Sequence, residues 1–177
     1  MKTPKAIFLD RDGTLIIDKN YLSRVEDIEY FPDTMKALKS FQEQGFDLFV
    51  VTNQSGIGRG YFSFESVHTI HRQLQTDLKD HKLEPFKDFA VCPHSPDDSC
   101  DCRKPSGKMI QELIDKYHIA KDRSFMIGDK LIDAEAGKNA GITGALVRSA
   151  NSSAFPTYKN LLEIAETLKT TGSLQKE

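Results

Sequence analysis

The sequence predicts an α/β fold, a parallel β-sheet with helices on both faces. Two observations lead there. Short apolar runs alternate with helical patterns from one end of the chain to the other, and parallel neighbours in a sheet need a crossover that is usually helical. The length of 177 residues, 38% of them apolar, is enough to bury a core of its own.

The elements follow in order. Lys5 to Asp10 (KAIFLD) reads as a buried strand, and Asp33 to Gln44 as a helix that begins behind Pro32 and stops at Gly45. Phe46 to Val51 (FDLFVV) is the second strand. After a glycine-rich loop, Ser63 caps a helix whose apolar residues Val67, Ile70, Leu74 and Leu78 recur at helical spacing. His68 and His71 of this helix are assigned to its polar face. Phe86 to Val91 is a third strand, and Ser106 to about His118 a helix with Met109, Ile110, Leu113, Ile114 and Tyr117 inward. Ser124 to Ile127 and Gly144 to Val147 are strands on either side of a short helix from Asp133 to Ala140. A helix from Leu161 to Leu168 closes the fold, and a polar, flexible tail is expected over about 171–177. The whole is expected to be one three-layer, Rossmann-like domain spanning 1–177.

Composition narrows the function. Charged residues make up 28% with a formal charge of −2 and no long single-sign run, so neither wholesale disorder nor a nucleic-acid tail is indicated. The apolar run near the start, Ala6 to Leu9, is too short for a signal-peptide core or a membrane span. A cytoplasmic, monomeric protein with no membrane or nucleic-acid partner is expected. All 3 cysteines, Cys92, Cys100 and Cys102, lie in one short stretch with His94. Three thiolates and an imidazole suit a closed, structural zinc site better than a disulfide frame, which an odd number cannot complete. A stapled loop there aims Arg103 and Lys104, directly after the last cysteine, toward the ends of the strands.

In a parallel α/β sheet ligands bind beyond the carboxyl ends of the strands. The residues that follow the predicted strands are Asp10-Arg11-Asp12-Gly13-Thr14, Thr52-Asn53-Gln54-Ser55-Gly56, Arg103-Lys104-Pro105, and Gly128-Asp129-Lys130 with Asp133. Carboxylates gathered on one rim repel unless a cation sits among them, and an all-oxygen site suits magnesium, with Asp10 and Asp129 as side-chain ligands. A phosphate monoester bound there meets Lys104 and the Thr52 hydroxyl. Asp10 is then the nucleophile. Asp12, two residues on, is the acid that protonates the departing alkoxide and afterwards the base that activates water. Gly13 lets the chain turn beside it.

The runs DRDGT, TNQSG, RKP and GDKLID resemble the four motifs of the haloacid dehalogenase superfamily of phosphohydrolases, in order and across the whole chain. The resemblance implies a magnesium ion held by the Asp10 side chain, the Asp12 backbone carbonyl and Asp129, with Asp133 behind them. The combination of CPH and CDCRKP in a chain with no room for a large cap domain is similar to a zinc-containing group that acts on heptose bisphosphate or histidinol phosphate.

TNQSGIGRG followed by Tyr61-Phe62, Asp18-Lys19-Asn20-Tyr21 and GDK look like the heptose enzymes; the short cysteine loop also fits the histidinol ones. Carried onto matching positions, the resemblance makes Asp18, Lys19, Asn20, Tyr21, Thr52, Asn53, Gln54, Ser55, Arg103, Lys104 and Lys130 substrate contacts. Arg59 is a candidate for a second phosphate. The heptose reading carries a role in nucleotide-activated heptose for lipopolysaccharide core. A polynucleotide phosphatase is a poorer fit, because the chain has no Trp and a net negative charge. A zinc-stapled binding module without turnover is the non-enzymatic alternative.

Overall fold

A computed structural model describes residues 3–174. Six strands, all parallel, form one sheet: β1 (Lys5–Leu9), β2 (Phe46–Asn53), β3 (Asp88–Cys92), β4 (Phe125–Gly128), β5 (Thr143–Val147) and β6 (Thr157–Tyr158). Their order is β3-β2-β1-β4-β5-β6. The helices are α1 (Thr34–Glu43), α2 (Ser55–Gly58), α3 (Phe64–Asp80), α4 (Lys108–Tyr117), α5 (Leu131–Asn139) and α6 (Leu161–Thr171). Among the described residues no helix is long and apolar enough to cross a membrane.

The strands are apolar at successive positions because both faces of the sheet are covered. Ile7, Leu9, Leu48, Val50, Phe125 and Ile127 pack with α1, α3 and α6. The alternate residues Ala6, Phe8, Phe49, Val51 and Met126 pack with α4 and α5. The period-two rule thus splits one short run such as KAIFL between two cores.

Helix boundaries follow local chemistry. Ser63 Oγ accepts from the Ser66 N–H at 3.2 Å to cap α3, and Asn160 Oδ1 accepts from the Glu163 N–H at 2.9 Å to cap α6. Gly45, at φ +80°, ends α1 in a conformation that side chains resist.

Several expectations need correction. The strand after α3 starts at Asp88, and Phe86 is buried before it rather than in the sheet. Helix α5 begins at Leu131, two residues before Asp133. The expected tail is partly structured: α6 runs to Thr171 and Leu174 is buried against the core, while 175–177 lie outside the described residues.

His71 is likewise not on a polar face. It is 5% exposed and stacked on Phe89 with ring centroids 4.3 Å apart, and its Nε2 has no hydrogen-bond partner among the described residues. Burial, helped by the nearby Arg11 cation, pushes its imidazole down from 6.5 to about 3. Between those values the unfolded chain binds a proton that the folded chain refuses, so the fold loses stability as pH falls through this window. His71→Phe keeps the ring stack and removes that penalty. At pH 5 the variant should lose about 2 kcal/mol less stability, relative to pH 7.5, than the parent. Urea unfolding at both pH values reads the difference, and parallel losses would refute this account of His71.

Candidate active site

The chain reverses direction across the sheet at β1, which lies between β2 and β4, and such a switch point opens a crevice at the carboxyl edge. Asp10 stands there. Its N–H donates to the Ile127 carbonyl at 3.0 Å, the last bond tying it to β4, and the side chain then leaves the sheet.

Lys104 reaches the same point from the loop after Cys102 and is nearly fully buried. Its ammonium donates to Asp10 Oδ1 at 2.8 Å, Asp133 Oδ1 at 2.7 Å and the Val51 carbonyl at 2.7 Å, which uses all three of its N–H bonds. Asn53 fixes the lysine backbone reciprocally: Oδ1 accepts from the Lys104 N–H at 3.0 Å and Nδ2 donates to the Lys104 carbonyl at 3.3 Å.

Asp129 follows β4, and its buried Oδ1 has no hydrogen-bond partner among the described residues. Asp133 sits in the first turn of α5, where its Oδ2 accepts from the Lys130 N–H at 3.0 Å. Ligand atoms of Asp10, Asp129 and Asp133 lie within 4.8 Å of one another. Gly13 (φ +85°) passes so close that a Cβ there would stand 2.4 Å from Asp129 Oδ2, so the loop needs glycine on two counts.

The electrostatics of this group are unbalanced. Burial pushes Asp10 up to about 7 against the pull of Lys104, and burial raises Asp129 as well. Burial also disfavours the Lys104 cation, but Asp10 and Asp133 outweigh it and hold the ammonium above its ordinary value. Three carboxylates share the Lys104 ammonium and the charge of nearby Lys130, and Asp129 Oδ1 has no partner among the described residues. A hard divalent cation fits both facts.

Asp12 is held differently. Its Oδ2 accepts from Arg11 Nε at 3.0 Å and Gln54 Nε2 at 2.9 Å, and its Oδ1 accepts from Arg11 Nη2 at 3.2 Å. Gln54 Nε2 also lies 2.8 Å from Thr52 Oγ1. Arg11 is fully buried, and among the described residues its one ionic partner is Asp12. The sequence reading gave it no role, although a cation between two carboxylates at a strand end is a visible signal.

A cavity of about 270 Å³ opens over these groups. Asp10, Asp12, Asn53, Gln54, Ser55, Arg103, Lys104 and Asp133 line it, together with Asp18, Asn20, Tyr21 and Lys130. Arg11, Leu22, Gly56 and Ile132 also line it, without having been singled out from the sequence. Thr52 is buried beneath.

Two expected contacts stand outside. Lys19 turns away to pair with Glu29 at 2.5 Å, and Arg59 is exposed at the end of α2, outside the cavity lining. A larger hollow of about 800 Å³ beside β6 and α6 has a single charged residue, Glu163, in its lining. Chemistry rather than size therefore selects the site.

The cysteine loop also closes on itself. Cys92 Sγ lies 3.6 Å from His94 Nδ1, 3.9 Å from Cys100 Sγ and 3.1 Å from Cys102 Sγ, and His94 Nδ1 lies 3.3 Å from Cys102 Sγ. Ligands about 2.0–2.3 Å from a tetrahedral ion are separated by roughly 3.3–3.8 Å, so these four atoms fit zinc. Burial pushes the Cys92 thiol up to about 12, whereas the Arg103 N–H favours the Cys100 thiolate. Arg103 Nη1 donates to the His94 carbonyl at 3.2 Å, which ties the loop to the cavity wall.

A parallel sheet with paired carboxylates after β1, a lysine delivered from across the site and acidic residues after β4 is the arrangement of HAD-like phosphohydrolases. The family model described as HAD-hydrolase-like matches residues 101–169. A Haemophilus ducreyi protein named D-glycero-beta-D-manno-heptose-1,7-bisphosphate 7-phosphatase is 40% identical over 155 residues, covering 84% of this chain and 85% of its own. A Photorhabdus laumondii protein named for the alpha anomer is 37% identical over 166 residues, covering 89% and 90%. Among solved structures, a D,D-heptose 1,7-bisphosphate phosphatase from B. bronchiseptica, complexed with magnesium and phosphate, superposes with a TM-score of 0.85 at 27% identity, covering 94% and 98%. This chain belongs to the D-glycero-D-manno-heptose-1,7-bisphosphate 7-phosphatase family. The histidinol phosphate alternative is not favoured by these relatives.

Proposed function

We propose that this chain removes the 7-phosphate of D-glycero-D-manno-heptose 1,7-bisphosphate by way of a phosphorylated Asp10, in the cytoplasm and in the supply of nucleotide-activated heptose for lipopolysaccharide core. The observation that carries the reading is the buried Lys104 bridging Asp10 and Asp133 at the head of the cavity, beside the unpartnered Asp129 Oδ1.

Lys104 holds one oxygen of Asp10 and orients the carboxylate. An Asp10 oxygen attacks phosphorus and the bond to the sugar oxygen breaks, while Asp12 passes its proton to that departing oxygen. Asp12, now a carboxylate, takes a proton from water; the water oxygen attacks the phosphorus of the aspartyl phosphate, releasing phosphate and restoring Asp10. Arg11 and Gln54 keep Asp12 pointed for both steps.

Asp10, the Asp12 carbonyl and Asp129 would hold a magnesium ion, which would supply positive charge to the phosphoryl oxygens. Asp133 supports rather than ligates, because its two oxygens are occupied by Lys104 and the Lys130 N–H. Cys92, His94, Cys100 and Cys102 would hold a structural zinc, which would fix the loop that Arg103 ties to the cavity wall and that leads into Lys104. The second phosphate falls to Arg103 and Lys130, which line the cavity, rather than to Arg59; Lys130 is shared there with Asp18, 3.4 Å away.

Specificity constants test the assignment. The bisphosphate should exceed histidinol phosphate by about 10²-fold or more, in a preparation that carries one zinc per chain; equal or reversed constants would defeat the substrate reading.

A further inference from the structure

Two tyrosines stand at the mouth of the cavity with much of their surface in solvent, Tyr21 at 46% and Tyr61 at 61% exposure. Their rings meet edge to face, with centroids 4.8 Å apart and planes at 83°. Tyr21 lines the cavity and Tyr61 does not, so Tyr61 touches Tyr21 from outside the binding space. Tyr21 also sits at φ +64°, directly after Asn20 at φ +51°. Two successive non-glycine residues in the left-handed region cost energy that neighbouring contacts must offset.

The second contact is below. A Cβ on Gly56 would stand 3.0 Å from Tyr21 Cδ1 and 2.3 Å from Phe62 Cε1, so the absence of a side chain there makes the slot in which both rings lie. The Tyr61 N–H donates to the Gly56 carbonyl at 2.8 Å, which ties the bracing residue to the same turn. No catalytic group needs this construction. Its product is one aromatic ring, steadied on a strained loop and presented to the cavity.

We propose that Tyr61 is a positioning residue for substrate specificity: with Gly56 it steadies Tyr21 as a platform for the apolar C–H face of a cyclic sugar, while the phosphate is held by the charged groups that line the same cavity. This rests on the phosphatase reading but not on the identity of the sugar. The ring C–H face of a pyranose is weakly positive and the face of an aromatic ring negative, so the two stack. A ring free to swing gives less of that contact, because the bound pose must first immobilise it.

The experiment is a comparison of steady-state constants for Tyr61→Ala and Tyr61→Phe, with heptose 1,7-bisphosphate and with glycerol 3-phosphate, which has no ring. Losing an edge-to-face partner should raise KM for the cyclic substrate roughly two- to tenfold with kcat nearly unchanged. KM for glycerol 3-phosphate should not move, and Tyr61→Phe, which keeps the ring edge, should restore the parental KM. An unchanged KM for the cyclic substrate in Tyr61→Ala overturns the proposal, as does an equal rise for both substrates. If the parent enzyme does not turn over heptose bisphosphate, the substrate assignment fails separately; the same comparison is then read on the cyclic sugar phosphate that it hydrolyses best.

Discussion

Asp10→Asn should lower kcat by about 10⁴-fold or more while leaving the fold intact. The amide matches the carboxylate in shape and can still accept from Lys104 through Oδ1, but it cannot attack phosphorus to give an aspartyl phosphate. Stability should hold or rise, because the parent carboxylate is disfavoured by burial and by its acidic neighbours. Removing a charge from that crowd relieves repulsion, whereas removing a merely structural aspartate would weaken the protein. Initial rates with saturating substrate, paired with urea midpoints, separate the two cases. Turnover within tenfold of the parent would contradict a nucleophilic Asp10.

Lys104→Ala should damage both activity and fold. Its ammonium is the shared partner of two buried carboxylates and a buried carbonyl. Removing one member of a buried ionic group leaves the others uncompensated, at a cost of about 3–5 kcal/mol. In a chain of this length that lowers Tm by roughly 6–20 °C. Catalysis should fall by about 10²–10³-fold, since the same ammonium orients Asp10 and neutralises the phosphoryl group. Part of the stability should return with millimolar magnesium, because a cation among Asp10, Asp129 and Asp133 replaces some of the missing charge. Thermal unfolding with and without magnesium measures this; a variant as stable as the parent would mean that Lys104 does not hold the carboxylates together.

Most of the architecture could be read in advance because its signals are local. KAIFLD and FDLFVV announce buried strands, Gly45 and Ser63 mark helix ends, and each chemical cluster follows a strand. The departures arise where tertiary contacts decide. β6 is two residues long and exists through pairing with β5. α2 and the 3₁₀ turn Val25–Asp27 are too short to carry a periodic pattern. His71 falls inside because Phe89 stacks on it, which no spacing along α3 reveals. Arg11 is buried because Asp12 claims its guanidinium, while an arginine in a polar run reads as a surface residue. Lys19 and Arg59 lie outside the cavity lining, which depends on where a long side chain turns. Long exposed side chains follow nearby carboxylates, as Lys19 follows Glu29.

Rapid quench of the enzyme with substrate labelled in the 7-phosphate, followed by peptide mapping, tests the phosphorylated aspartate most directly. Label should appear on the peptide that holds Asp10 within the first turnover, decay as phosphate is released, and be absent from Asp10→Asn. Full turnover with no labelled peptide, or with label on another residue, would contradict it.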